Sequence, residues 1–233
     1  MTSGFEKSGT VLTVHLPAEL DHPASDEIRR DSDRIIGHNY IKNMIFDFES
    51  MDETKKYKIM SNTIFPRPIA WITTQDGDTV NLAPFSYFAP LSSEPPLVVV
   101  SIAKKEDSGE PKDTFANILK HGVCTINLAH DELLKQLIDT SEELPKEVSE
   151  CERFGINTKI VLPDFPPMVE EAKAALFCKF VKTVELNNRY EPLILEVKHV
   201  FVSDDVLDAK GRINLENIGR VGMEFLVGCN RVK

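Results

Sequence analysis

Apolar residues fall in short bursts along this chain, separated by turn-forming residues. Alternating or continuous apolar runs of strand length occur at PIAWITT (68–74), VNLAPFSYF (80–88) and PLVVVSI (96–102). Three more follow at VCTINL (123–128), AALFCKFVKTVEL (174–186) and LILEVKHVFVS (193–203). Such runs predict half-buried or buried strands. Between them two segments carry helical spacing. In DTFANILKHG, Phe115, Ile118 and Leu119 share a face, with Asp113 placed to cap the start and Gly122 the end. In HDELLKQLIDTS, Leu133, Leu134, Leu137 and Ile138 do the same. QDGD (75–78) predicts a hairpin turn, with Gly77 free to take a positive φ. About six strands with few, short helices predict a mainly β fold, a barrel rather than a doubly wound sheet.

Residues 1–50 read as a separate block. VLTVHL (11–16) alternates like a strand, the segment 23–36 carries Ile28, Ile35 and Ile36 on a polar background like an amphipathic helix, and MIFDFES (44–50) is strand-like again. This predicts a small α/β segment before a β-rich domain at 51–233. The block is too short to enclose a good core alone.

Charge narrows the function. The chain has 233 residues, 27 Lys and Arg against 37 Asp and Glu, and a formal net charge of −10. Its basic residues are interspersed with acids and form no basic stripe, so neither nucleic acid nor an anionic membrane is an expected partner. No run approaches the roughly 18–20 apolar residues of a membrane span. The N-terminus lacks the basic start and apolar run of a secretion signal. The four cysteines, Cys124, Cys151, Cys178 and Cys229, form no CxxC pair and are expected as free thiols in the cytoplasm. The six histidines show no metal-ligand spacing.

The stretch NLAPFSYF (81–88) is unusual for a strand. Ala83 and Phe85 fall on one face, Leu82, Pro84 and Ser86 on the other. Pro84 cannot donate to a ladder, so a neighbouring strand is absent or bulged there. The backbone groups left over either face water, as on any edge strand, or meet a flat polar heterocycle lying along the strand. The loop AKKEDSGEPKDTFANI presents a second choice. It is an ordinary solvated loop leading to a capped helix, or an anion site in which the helix start is joined by Lys112, Ser101 and Thr114. No GxGxxG, GxxxxGK[ST], GxSxG or HExxH motif is present, so neither a standard nucleotide cradle nor a nucleophilic or zinc-hydrolase site is expected.

PRPIAWITT, NLAPFSYFAPLSSEPPLVVVSI, PKDTFANI and VCTINL, in that order, resemble the flavin reductase-like, FMN-binding split-barrel family over residues ~57–225. The resemblance implies a six-stranded split β-barrel that forms a homodimer around FMN. It implies that the strand bearing Asn81, Leu82, Ala83, Phe85 and Ser86 lines the isoalloxazine. Thr73 and Thr74 would approach the ring and ribityl chain, and Ser101, Lys112, Asp113 and Thr114 would form the phosphate site. The GRVG segment of Gly219 to Gly222 would lie nearby, with Phe225 the aromatic residue after it.

In such proteins the cofactor carries the chemistry, so no catalytic side chain is implied. NADH or NADPH would supply electrons to a flavin or protein acceptor. A flavoredoxin-like electron carrier without nicotinamide use is the alternative. A third reading comes from the N-terminus. VLTVHLPAELDHPASDEIRR followed by MIFDFESMD resembles the first half of a STAS domain, the anti-sigma-factor antagonist type. A phosphorylatable Ser follows in that family; Glu53 and Thr54 stand here, and the second half is absent. The segment is then a truncated extension, and the whole chain could serve as an interaction scaffold without catalysis.

Overall fold

The computed structural model describes residues 45–228. The strand and helix expected over 11–36, and the STAS-like resemblance they carry, lie outside those residues. Where a strand was expected at 44–50, Phe48–Ser50 forms a single 3-10 turn capped by the Asp47 carboxylate.

Helix α1 (Glu53–Thr63) comes next, a helix the apolar pattern did not predict. Asp52 starts it by accepting the Lys55 N–H at 2.8 Å. Strands β1 (Arg67–Pro68), β2 (Ala70–Asp76), β3 (Thr79–Phe85), β4 (Phe88–Ser93) and β5 (Pro96–Ala103) follow. Helix α2 (Asp113–His121), β6 (Val123–Leu128), α3 (Leu134–Asp139) and α4 (Glu150–Arg153) lead to the short β7 (Thr158–Lys159) and β8 (Met168–Val169). The long strands β9 (Ala174–Thr183) and β10 (Tyr190–Val202) and the short β11 (Gly219–Val221) and β12 (Glu224–Leu226) complete the order.

The main sheet has seven antiparallel strands in the order β3-β2-β6-β9-β10-β5-β4. Its two edges, β3 and β4, are consecutive in the chain and separated only by Ser86 and Tyr87. Two residues span roughly 11 Å at most. The sheet must therefore curl until its edges meet, which makes a barrel closed by the chain at 86–87 rather than by a ladder: a split barrel. The single strand expected over 80–88 is thus two strands on opposite edges.

Side-chain parity divides the core in two. Ala70 and Ile72 of β2 join Val100, Ile102, Ile126, Cys178, Leu193 and Leu195 inside the barrel, where Phe115 and Ile118 of α2 plug one end. Trp71, Leu82, Ala175 and Phe177 point outward and are covered by Leu133, Leu137, Phe165 and Met168. Gly122 ends α2 with a left-handed φ of 75°. Leu119, expected on the apolar face, is 45% exposed. β1, β11 and β12 form a separate three-stranded sheet. Gly219 is needed there, because a Cβ at that position would stand 2.9 Å from Pro66. Among the described residues no helix is long and apolar enough to cross a membrane.

Candidate functional site

The β2–β3 hairpin and the start of α2 meet at one polar rung. Thr74 and Asn81 are partners in the β2–β3 register. Asn117 Nδ2 donates to Thr74 Oγ1 at 3.0 Å, and Asn81 Nδ2 donates to Thr114 Oγ1 at 2.8 Å. The two bonds dock the first turns of α2 on the hairpin. All four side chains are buried. A hydroxyl that accepts one bond still has its proton to donate, so Thr114 remains a donor.

Lys112, not Asp113, occupies the N-terminal cap of α2, and it makes no capping hydrogen bond with its side chain. Asp113 is instead the first helical residue. Lys112, Asp113 and Thr114 at this helix start line a cavity of about 150 Å³. One wall is Asn81, Ala83, Pro84 and Phe85 of β3. Lys105, Lys112, Asp113 and Thr114 form the second. Residues Thr140 to Leu144 and Glu150 form the third.

Both cations are paired, Lys112 with the opposite wall and Lys105 within its own. Lys112 Nζ lies 2.8 Å from Glu143 Oε1, and Lys105 Nζ lies 3.2 Å from Asp113 Oδ2. The Lys112 ammonium holds the Glu143 carboxyl below its ordinary range. An anion entering here meets Lys112 already paired with Glu143.

The outer edge of β3 is partly occupied by the protein itself. Leu82 N–H donates to Glu150 Oε2 at 2.9 Å, and Val80 C=O accepts from Ser149 Oγ at 2.6 Å. Backbone groups of alternate residues face one side of an antiparallel strand, so Leu82 and Pro84 share this edge with Val80. The two residues at the head of α4 satisfy the first part of it. The rest falls at Pro84, in the cavity wall. Burial raises the Glu150 carboxyl above its ordinary value, and the Leu82 N–H partly offsets that rise.

The expected site residues separate into three groups. Asn81, Ala83, Phe85, Lys112, Asp113 and Thr114 come together around this cavity. Ser86 and Ser101 line a neighbouring cavity of about 410 Å³, which shares Pro84, Phe85 and Lys112 with the first. Thr73, Thr74 and Leu82 lie behind the wall. Thr73 Oγ1 donates to the Thr125 carbonyl at 3.2 Å and faces away from Thr74, as alternation along a strand requires. Of the C-terminal segment, Gly222 N–H donates to the Ser61 carbonyl, and Phe225 is buried beneath the Arg220 guanidinium at 4.2 Å.

Sequence reasoning missed Lys105, Glu150 and the 140–144 loop. Lys105 stood in the loop already singled out; nothing in SECERF or DTSEEL pointed to the cavity. Trp71 is not at the site surface. It is fully buried, and its indole N–H donates to Thr140 Oγ1 at 2.8 Å, holding the start of that loop. Among the described residues no group of three His, Cys, Asp or Glu could hold a metal ion.

The cavity sets the small and aromatic residues Ala83, Pro84 and Phe85 opposite two lysines and the first residues of α2. The cavity offers no nucleophile paired with a base. Similarity to known proteins points the same way. An uncharacterised protein of Aquifex aeolicus is 31% identical over 188 residues, spanning 79% of this chain and 95% of that protein. Nitrilotriacetate monooxygenase component B from Bacillus cereus superposes with a TM-score of 0.75 at 26% identity, over 82% of this chain and 98% of that one. The Pseudomonas fluorescens 2-nitrobenzoate 2-nitroreductase NbaA shares the fold, with a TM-score of 0.73 at 21% identity over 82% and 94% of the chains. The model of the flavin reductase like domain matches residues 60–216. This chain, with its split barrel and its cavity at the barrel seam, belongs to the flavin reductase-like family and is a flavin-binding protein of the oxidoreductase type.

Proposed function

We propose that the protein is an FMN-dependent oxidoreductase that takes electrons from NADH or NADPH and passes them to a flavin or protein acceptor. One observation carries the reading: the Asn81–Phe85 wall faces the uncapped start of α2, with Lys105, Lys112 and Thr114 around one cavity. The residues fit the group. Ala83, Pro84 and Phe85 suit a ring face, and the α2 N–H groups, the Thr114 hydroxyl and Lys112 suit a phosphate. The bound flavin supplies the hydride and electron chemistry; the chain binds and orients it. Thr73, Thr74 and Leu82 support the wall from behind. Ser86 and Ser101 lie at the margin of the site.

Residues 51–233 form the flavin-binding unit in this reading, and 1–50 a truncated STAS-like extension. A homodimer is supported by the apolar side chains Leu91, Val181, Val200 and Met223, each about half exposed or more. Cys124, Cys151 and Cys178, free and buried, suit a reducing cytoplasm.

The test is the visible absorption spectrum of the purified protein, before and after loading with FMN and desalting. A retained, shifted flavin spectrum supports the reading, and a colourless protein that retains no FMN sinks it. Bleaching of that spectrum by NADH or NADPH supports the reductase. Bleaching only by a reduced protein donor makes the chain an electron carrier instead.

A further inference from the structure

Glu150 is the one acidic residue buried among the described residues, at 7% exposure. It opens α4 and packs against β3, where its Oε2 accepts the Leu82 N–H at 2.9 Å. Among the described residues no lysine or arginine pairs with it and no side chain donates to it. Yet it lines the cavity beside β3.

The charges around that cavity are unequal. Lys105 and Lys112 are its cations, and Asp113, Glu142, Glu143 and Glu150 its acids. Asp113 holds Lys105 and Glu143 holds Lys112. Glu142 and Glu143 are exposed, so water screens them. Farther along that loop Lys146 pairs with Asp76. Strand β3 brings no charged side chain, and on α4 itself Cys151 is buried and Glu152 exposed. Glu150 therefore stands as the carboxylate with neither water nor a cation beside it.

An ionised carboxylate in that position is costly. Burial raises the Glu150 carboxyl above its ordinary value, and the Asp113 charge adds to the rise. An anion in the same cavity brings a further negative charge, and like charges sharing one site push a proton onto one of them. Glu150 is the group most ready to take it. A protonated carboxyl is also a hydrogen-bond donor. The group that repels an anion when ionised then offers the ligand an O–H.

We propose that Glu150 carries a proton whenever this cavity holds an anionic ligand, and that its hydroxyl donates to an acceptor atom of that ligand. The proton comes from solvent on binding and returns to it on release. This rests on the flavin reading above, with FMN as the anionic ligand.

The experiment is a titration of FMN into the flavin-free protein over a pH series. Calorimetry in two buffers of different ionisation enthalpy counts the protons taken up, and fluorescence gives Kd. Wild type, Glu150→Gln and Glu143→Gln are measured side by side. Wild type should take up close to one proton. Its Kd should rise by up to about tenfold per pH unit from the value of the ligand-free carboxyl upward. Glu150→Gln keeps an oxygen for the Leu82 N–H but has nothing to titrate, so the uptake should vanish and the slope flatten. Glu143→Gln should keep both, because Lys112 already holds Glu143 ionised. The second ionisation of the FMN phosphate, at about pH 6, is common to all three proteins. Equal uptake in wild type and Glu150→Gln overturns the proposal and leaves the flavin reading standing, as does uptake lost in Glu143→Gln alone. Wild-type protein that binds FMN and takes up no proton at any pH overturns it whatever the variants do. Wild-type protein that retains no FMN removes both.

Discussion

Lys112 Nζ and Glu143 Oε1 stand 2.8 Å apart, joining two walls of the cavity beside β3. The cation best placed for an anionic ligand is therefore held by a carboxylate of the opposite wall. An anion bound at Lys112 shares that ammonium with Glu143 or competes with it. Glu143→Gln keeps the side-chain shape and removes the competing charge. FMN should bind roughly 1.5- to fivefold more tightly to this variant, in line with the ~0.2–1 kcal/mol typical of exposed ion pairs. Fluorescence titration checks it; weaker binding would mean that Glu143 itself contacts the ligand.

The opposite change tests the donors. Lys112→Ala with Thr114→Ala removes one charge and one hydroxyl. Hydrogen bonds to charged groups contribute about 1.5–3 kcal/mol each, so FMN affinity should fall at least tenfold. Asn81 loses its acceptor Thr114 in the same variant, so a thermal melt must accompany the titration. An unchanged affinity in a folded variant removes the phosphate site from this position.

Glu150 is the carboxylate that holds β3 from outside. In Glu150→Ala the Leu82 N–H loses its partner, which costs about 1–3 kcal/mol of stability. Glu150→Gln separates charge from bonding. Burial raises this carboxyl above its ordinary 4.5 in the folded state. Between those two values the folded chain binds the proton more than the unfolded chain does, so stability falls as pH rises. The stability of Glu150→Gln relative to wild type should thus increase from pH 4.5 upward through that raised value. Denaturant melts at several pH values measure the slope; a flat difference denies the burial effect.

Asp76 has the opposite sign. Lys120, His121 and Lys146 surround its carboxylate and hold it far below 3.8. Its contribution is present above that value and is lost as pH falls through the depressed one. Asp76→Asn should lower stability near neutral pH and have progressively less effect in acid. Added salt should shrink the neutral-pH effect, because the group is at the surface.

Thr140→Val leaves the Trp71 indole N–H buried without an acceptor, a loss of about 1–3 kcal/mol. For a chain of this size each kcal/mol lowers Tm by about 2–4 °C. Trp71 is the single tryptophan, so its own fluorescence follows the melt. Because Thr140 begins the cavity loop, FMN affinity should fall in parallel with stability.

Much of the β architecture was legible because its strands are apolar runs of strand length, alternating in burial along β5 and buried on both faces in the middle of β6. The break inside 80–88 was not. Alternation continues through Ser86 and Tyr87, and only closure of the sheet shows that the two halves occupy opposite edges. Helix α1 was illegible for the reverse reason: it buries only Ser61 and carries no apolar stripe. At the site, Asn81, Lys112 and Thr114 were legible because loop polarity and a helix start are local properties. Glu150 reaches its cavity through long-range packing, and a lone Glu in SECERF carries no sign of it.

The barrel seam at Ser86 and Tyr87 bears on how such a protein changes over time. A sheet edge usually threatens a protein by offering unpaired main-chain groups to another strand. Here that edge is folded inward and becomes the wall of two cavities. Polar recognition supplied by main chain survives side-chain substitution, apart from proline. Lining positions such as Ala83 and Phe85 are then free to vary the shape of the cavities while the course of the main chain is kept.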